Sequence, residues 1–123
     1  MGKSDNTGIR RIIRAVKYSA QGFRSAWKNE AAFRQELLLV IVLLPVAVWL
    51  GRSVIEQAML IAVCLLVLVV ELLNSAVEAA IDRIGPEQHV LSGRAKDMGS
   101  AAVFVVIAIV VVVWSAVAWD RFA

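Results

Sequence analysis

The sequence predicts an all-α integral membrane protein, built from an N-terminal amphipathic surface helix and three transmembrane helices. Hydrophobic residues make up 60% of its 123 residues, against roughly 45–50% in a typical soluble domain. Uncharged apolar runs recur at lengths near the 20 or so residues that cross a bilayer as a helix. The chain is long enough for one membrane domain, residues 1–123, with little interior of its own.

Residues 9–28 are predicted to form the surface helix. Apolar residues recur there at helical spacing, and basic residues follow a neighbouring stripe. The apolar positions are Ile9, Ile12, Ile13, Val16, Ala20, Phe23 and Trp27, and the basic positions are Arg10, Arg14, Lys17, Arg24 and Lys28. A basic amphipathic helix with Trp and Phe on its apolar side suits the surface of an anionic membrane. A helix packed on a soluble core is the alternative, but the chain offers no such core.

Three later segments, residues 32–50, 54–84 and 92–120, are predicted to cross the membrane. The second ends at Gly85-Pro86, a strong helix stop. At about 1.5 Å per residue it is longer than the hydrocarbon layer, so its C-terminal half must emerge into water. Ser92 is expected to cap the third segment.

Positive charge predicts the orientation of these segments. The first 36 residues carry eight Lys or Arg and the loop at 79–97 carries three, whereas the opposite side has only Arg52 and Arg121. The N-terminus and the second loop are therefore expected to face the cytoplasm, and the C-terminus the opposite side of the membrane. No nucleic-acid partner is expected.

A polar seam runs along the second predicted span. Glu71, Asn74, Glu78 and Asp82 fall within about 100° of arc on one helix face. Because an ionisable residue at the bilayer centre costs about 2.5 kcal/mol or more, such residues are functional candidates. The deeper Glu71 is the candidate general base, and Glu78, nearer to water, suits a hard cation. A structural role, in which the carboxylates pair with basic residues of other helices, is the alternative.

Several familiar chemistries are excluded by the sequence. It contains no GxxxxGK[ST] loop, no GxGxxG preceding a helix, and no HExxH. The single histidine, His89, excludes a multi-histidine metal site, and the single cysteine, Cys64, excludes a cysteine cluster. Phosphoryl transfer fits what remains, since it needs carboxylate-held Mg²⁺, cations on the phosphates and a base for the attacking hydroxyl.

Three strings carry a family resemblance: EAAFRQE at 30–36, VELLNSAVEAAIDRIG at 70–85 and LSGRAKDMGSAAV at 91–103. They resemble prokaryotic diacylglycerol kinase, colinearly from about Thr7 to the C-terminus. The resemblance implies a homotrimer in the bacterial inner membrane, with the C-terminus in the periplasm. Its active sites would lie between subunits at the membrane–cytosol interface. It also implies transfer of the γ-phosphoryl group of ATP, with Mg²⁺, to 1,2-diacylglycerol in the membrane, giving phosphatidic acid.

The resemblance also implies roles for individual residues. Glu71 matches the catalytic base, and Asn74 lies beside it at the catalytic site. Glu30 and Glu78 match the carboxylates that hold the divalent metal. The nucleotide-binding positions are Arg11, Tyr18, Glu30, Glu78, Glu87, His89, Lys96 and Asp97. The positions for the lipid substrate are Ala32, Phe33, Arg34, Gln35, Glu71, Ser100 and Trp114.

The chain departs from the family pattern at two places. Ala20-Gln21 stands where a Trp-Lys pair is common, which affects the anchoring of the surface helix, and Gln57 replaces a common basic residue near the outer turn. An undecaprenol kinase of similar fold is the alternative on substrate. A non-enzymatic scaffold or a proton channel, with Glu71 as a buried relay, is the alternative on function.

Overall fold

The structure is a computed structural model that describes residues 7–123, and these residues form four α-helices. The helices are α1 (Gly8–Asn29), α2 (Ala31–Leu50), α3 (Val54–Ile84) and α4 (Val90–Phe122). Helix α1 is amphipathic, and the other three are each long and apolar enough to cross a membrane. The predicted fold class, an all-α membrane protein with one amphipathic and three apolar helices, is confirmed.

Helices α1 and α2 meet at a single non-helical residue, Glu30, whose backbone is extended (φ −119°, ψ 105°). The guanidinium of Arg34, one turn into α2, donates hydrogen bonds to the carbonyl oxygens of Trp27 at 2.7 Å and Lys28 at 3.3 Å. It thereby satisfies carbonyl groups that the end of α1 leaves without helical partners. The change of direction between the two helices is thus fixed by local hydrogen bonds.

The turn between α2 and α3 is closed by side chains of α3. Ser53 Oγ accepts a hydrogen bond from the backbone N–H of Glu56 at 3.1 Å and caps the helix. Gln57 Nε2 donates to the carbonyl oxygen of Val48 at 2.9 Å. A Cβ atom on Gly51 would lie 2.7 Å from Gln57 Cγ, so only glycine fits there. The departure at Gln57 therefore has a structural use in this chain, as a cap for the end of α2.

The C-terminus of α4 is joined to the same end of the bundle. Arg52 forms an ion pair with Asp120. Arg121 donates to the carbonyl oxygen of Leu50 at 3.4 Å, and its guanidinium lies 5.0 Å from the centre of the Trp49 ring. These contacts hold the last turn of α4 against the turn between α2 and α3; we call this group of contacts the far-end contacts.

Helix α3 is central: it packs against α2 on one side and makes the most extensive interhelical contact with α4 on the other. One apolar cluster joins the residues Ala26, Phe33, Val40, Cys64 and Leu68, and a second joins Ala47, Leu50, Leu60 and Val117. Helix α3 ends, as predicted, at Gly85, whose φ of +148° is a conformation that side-chain-bearing residues rarely adopt. This packing places the polar seam between the two neighbouring helices.

Candidate active site

The polar seam of α3 begins inside the bundle. Glu71 and Ser75, one turn apart, are the buried polar residues among those the structure describes, and Glu71 is only 5% exposed. Asn74 and Glu78 are half-buried, and Asp82 is exposed. The seam therefore runs from a buried carboxylate to a solvent-accessible one, in the order that the sequence predicts.

Three further carboxylates lie within electrostatic range of Glu71. Glu30, from the junction of α1 and α2, and Glu78 lie close enough to Glu71 for their charges to interact, and so does Glu36 from the second turn of α2. Like charges repel one another, and more so away from bulk water, so the group favours cations or protons as partners. Glu30, Glu36, Glu71 and Glu78 are called the carboxylate cluster below.

Glu36 is the member of the carboxylate cluster that sequence reasoning missed. It is half-buried, and its Oε2 atom is buried without a hydrogen-bond partner within residues 7–123. The available signal was its position: it is the last charged residue before the apolar run of α2 and the last letter of EAAFRQE. A charge at that place is typical of a membrane interface, but it is also compatible with a side chain that faces protein.

A cleft of about 400 Å³ lies between α1 and α3, next to the carboxylate cluster. Its walls are mostly small residues, with Glu30 among them. The others are Ser19, Gly22, Phe23, Ser25 and Ala26 from α1, and Leu72, Ser75, Ala76 and Ala79 from α3. Small side chains keep space open between the two helices, so a ligand in the cleft would lie against Glu30 and the buried turn of α3.

A second, more polar pocket of about 620 Å³ lies where α3 ends and α4 begins. Three predicted nucleotide-binding residues, Glu87, His89 and Lys96, line it together with Asp82. Lys96 Nζ donates a hydrogen bond to Asp82 Oδ1 at 3.1 Å. This pair bridges α3 and α4 across the pocket. It gives Asp82 a partner, which the sequence alone does not identify.

His89 caps α4. Its Nδ1 accepts a hydrogen bond from the backbone N–H of Leu91 at 3.0 Å, so α4 starts at Val90 and the expected cap at Ser92 is wrong. An imidazole that accepts at Nδ1 carries its proton on Nε2, which is then available as a donor. His89 is thereby held in one orientation at the edge of the second pocket.

The remaining predicted nucleotide residues are separated from this pocket in the described chain. Arg11 and Tyr18 line a different, shallower depression on α1, of about 270 Å³. Asp97 is exposed on α4, next to Lys96 but outside the pocket lining. The depression on α1 and the second pocket thus hold separate sets of nucleotide-binding positions. Glu30 and Glu78 belong to neither set, because they are in the carboxylate cluster.

The predicted lipid-binding positions are dispersed in burial. Phe33 is 1% exposed, and its ring packs in the first apolar cluster. Arg34 is half-buried and occupied with the end of α1, whereas Ala32, Gln35 and Ser100 are exposed. Trp114 is half-buried beside both apolar clusters. The exposed members lie on α2 and α4, where membrane lipid would reach them.

The described residues hold no group of three or more His, Cys, Asp or Glu side chains arranged to bind a metal. Glu30 and Glu78 remain as two carboxylates close to the same buried glutamate. One or two carboxylates, completed by phosphate oxygens and water, is the usual way in which proteins hold Mg²⁺ with a nucleotide. The donor set therefore fits a hard divalent cation that binds together with a phosphate-bearing substrate.

Comparison with known proteins identifies the family. The family model for prokaryotic diacylglycerol kinase matches residues 17–118. A diacylglycerol kinase of Escherichia coli K12 is 51% identical over 119 residues, which cover 97% of this chain and 98% of that protein.

Two further relatives agree with this match. A diacylglycerol kinase of Haemophilus influenzae is 52% identical over 90% of this chain and 94% of its own. One of Pseudomonas aeruginosa is 55% identical over 90% of both chains. The resemblance carried by the three strings is thereby confirmed, and the chain belongs to the prokaryotic diacylglycerol kinase family.

Proposed function

We propose that this protein, a membrane diacylglycerol kinase, transfers the γ-phosphoryl group of ATP to the free hydroxyl of 1,2-diacylglycerol and releases phosphatidic acid and ADP. The observation that carries the proposal is the burial of Glu71 within the carboxylate cluster. This position lies between the helices that a lipid would approach and the polar end of α3. Family membership supplies the reaction class, and this arrangement supplies a site for it.

In the proposed reaction Glu71 is the general base. Its carboxylate accepts the proton of the lipid hydroxyl while the hydroxyl oxygen attacks the γ-phosphorus, and the bond to the β-phosphate oxygen of ADP breaks. Asn74, one turn along the same face, would orient the hydroxyl beside the base. The exposed positions Ala32, Gln35 and Ser100 would guide the lipid from the bilayer.

The nucleotide would bind at the polar end of α3. Lys96 and the Nε2–H of His89 would contact its phosphates, since both groups are donors at the edge of one pocket. Glu30 and Glu78 would hold a divalent cation, which we propose is Mg²⁺. When bound, the ion would neutralise charge on the phosphates.

We further propose that the enzyme is a homotrimer in the bacterial inner membrane, with the N-terminus in the cytoplasm. Arg11 and Tyr18 lie in a different depression from His89 and Lys96, so one chain does not bring all the nucleotide positions together. A site completed by a neighbouring subunit would unite the two groups. The distribution of basic residues supports the orientation.

The test is a kinase assay with purified enzyme in mixed micelles, with labelled ATP and either diacylglycerol or undecaprenol as acceptor. Diacylglycerol is expected to be the preferred acceptor, and a preference for undecaprenol would overturn the substrate assignment. Glu71→Gln should reduce kcat by at least roughly 10², in line with the loss of a general base.

The matched control is Glu56→Gln, the same change at the opposite end of α3. Glu56 accepts a hydrogen bond from the backbone N–H of Arg52, and a glutamine carbonyl can also accept it. The Glu56→Gln enzyme should therefore keep the wild-type kcat. If both Glu71→Gln and Glu56→Gln retained kinase activity, the assignment of Glu71 as the general base would fail. Proton flux with no phosphorylated lipid would instead favour a relay function.

A further inference from the structure

Gly99 of α4 lies against Asn74 of α3 at the most extensive helix contact in the bundle. A Cβ atom built on Gly99 would collide with Asn74 Oδ1 and would lie 3.2 Å from Asn74 Cγ. No other helical glycine of the described chain has a side chain from another helix in this position: the space around Gly22 and Gly93 is open. Gly99 is therefore the place where the backbone of α4 directly contacts the polar seam.

Packing against α4 positions the amide of Asn74 on the side that faces Gly99. Its Oδ1 atom is buried, and within residues 7–123 it accepts no hydrogen bond. Buried amides normally have a hydrogen-bond partner. Here the amide lies against the backbone of Gly99, and any side chain at 99 would need the space that Oδ1 occupies.

Asn74 lies between the proposed general base and a proposed metal ligand along α3. It lies three residues after Glu71 and four before Glu78, so its side chain shares their helix face. A displacement of the amide by the width of one methyl group would therefore change the polar surroundings of Glu71 without removing any group of the carboxylate cluster.

We propose that Gly99 is a positioning residue for phosphoryl transfer: the missing side chain at 99 lets α4 hold the amide of Asn74 beside Glu71. This inference rests on the proposed kinase function of the same site. Gly99 touches no substrate; it acts through Asn74.

The first test is Gly99→Ala, with Val112→Ile as the matched control on the same helix. Val112→Ile also adds one methyl group, but at an exposed position away from both pockets, so this variant should keep the wild-type kcat. Gly99→Ala should reduce kcat by roughly 10², the size of loss that a misplacement of about 1 Å can cause. The KM for ATP should stay within about twofold, because the second pocket is unchanged, and thermal unfolding in detergent should show a folded protein.

The second test is a double-mutant cycle with Asn74→Ala. If Gly99 acts through Asn74, Gly99→Ala should have no further effect on kcat once the amide is gone. The inference would be overturned if the reductions in kcat of the two single variants multiply in the double variant, or if folded Gly99→Ala keeps the wild-type kcat. If Gly99→Ala does not fold, Asn74→Ser/Gly99→Ala decides, since the shorter serine leaves room for the methyl group.

That double variant should fold and should match Asn74→Ser in kcat; a lower kcat or failure to fold would overturn the inference. Failure of the proposed function is distinguishable from these outcomes. A wild-type enzyme that does not phosphorylate diacylglycerol would refute the function, whereas an active wild type with an equally active Gly99→Ala would refute only the role of Gly99.

Discussion

The ion pair between Asp82 and Lys96 predicts how Asp82→Asn should change ATP binding. The ammonium of Lys96 donates to Asp82 Oδ1 at 3.1 Å across the second pocket. If Lys96 contacts the nucleotide phosphates as proposed, Asp82 competes for the same ammonium in the empty enzyme. Removing the carboxylate charge should therefore tighten ATP binding.

The exposure of the pair sets the size of the effect. The side chains are 47% exposed for Lys96 and 69% exposed for Asp82. Pairs this exposed are worth about 0.2–1 kcal/mol, because water screens the charges and long side chains lose entropy when they pair. With tenfold in affinity for each 1.4 kcal/mol, the dissociation constant of ATP should fall by about 1.4- to 5-fold.

The measurement is calorimetric titration of the purified enzyme with magnesium ATP, at low salt and again at about 1 M salt. The gain should shrink at high salt, where the screening length falls to about 3 Å. Asp120→Asn is the matched control, since it breaks the pair with Arg52 at the other end of the bundle and should leave ATP affinity unchanged. Weaker ATP binding in Asp82→Asn, or a gain above tenfold, would refute the competition.

Two further predictions concern the metal and the outer turn. Glu78→Gln should raise the Mg²⁺ concentration needed for half-maximal kinase activity by at least roughly tenfold, because one charged ligand is lost, and an unchanged metal titration would count against its role as a ligand. Gly51→Ala should lower the free energy of unfolding by about 1–3 kcal/mol, since its Cβ would meet Gln57 Cγ at 2.7 Å. The control for Gly51→Ala is Gly22→Ala, because the space around Gly22 is open. Thermal or denaturant unfolding measures both variants, and equal stability of the two would contradict the steric argument.

Much of the fold could be predicted because its determinants are local. Apolar run length and helical periodicity specify each helix, and Gly85-Pro86 specifies where α3 ends. The cap of α4 is not predicted because Ser92 has the better capping preference, whereas in the structure the extended backbone of His89 precedes the helix and its Nδ1 accepts from the N–H of Leu91. Backbone geometry overrides residue preference at such a junction.

The site was predictable where its residues share one helix. Glu71, Asn74 and Glu78 are spaced by helical geometry alone, so the sequence already places them on one face. Glu36 and the contact between Gly99 and Asn74 depend on how α2 and α4 pack against α3. That packing follows from side-chain shapes along whole helices, which no local pattern contains.

The far-end contacts make the bundle unequal in stiffness along its length. At that end an ion pair, a hydrogen bond from the Arg121 guanidinium to a backbone carbonyl and a cation–π contact join the last turn of α4 to the end of α2 and the turn after it. At the opposite end, the exposed pair of Lys96 and Asp82 is the one ion pair that the described residues place between α3 and α4. Local opening follows the weaker contacts, so the lowest-energy separations of α3 and α4 should occur around the second pocket, the place proposed for nucleotide entry and ADP release.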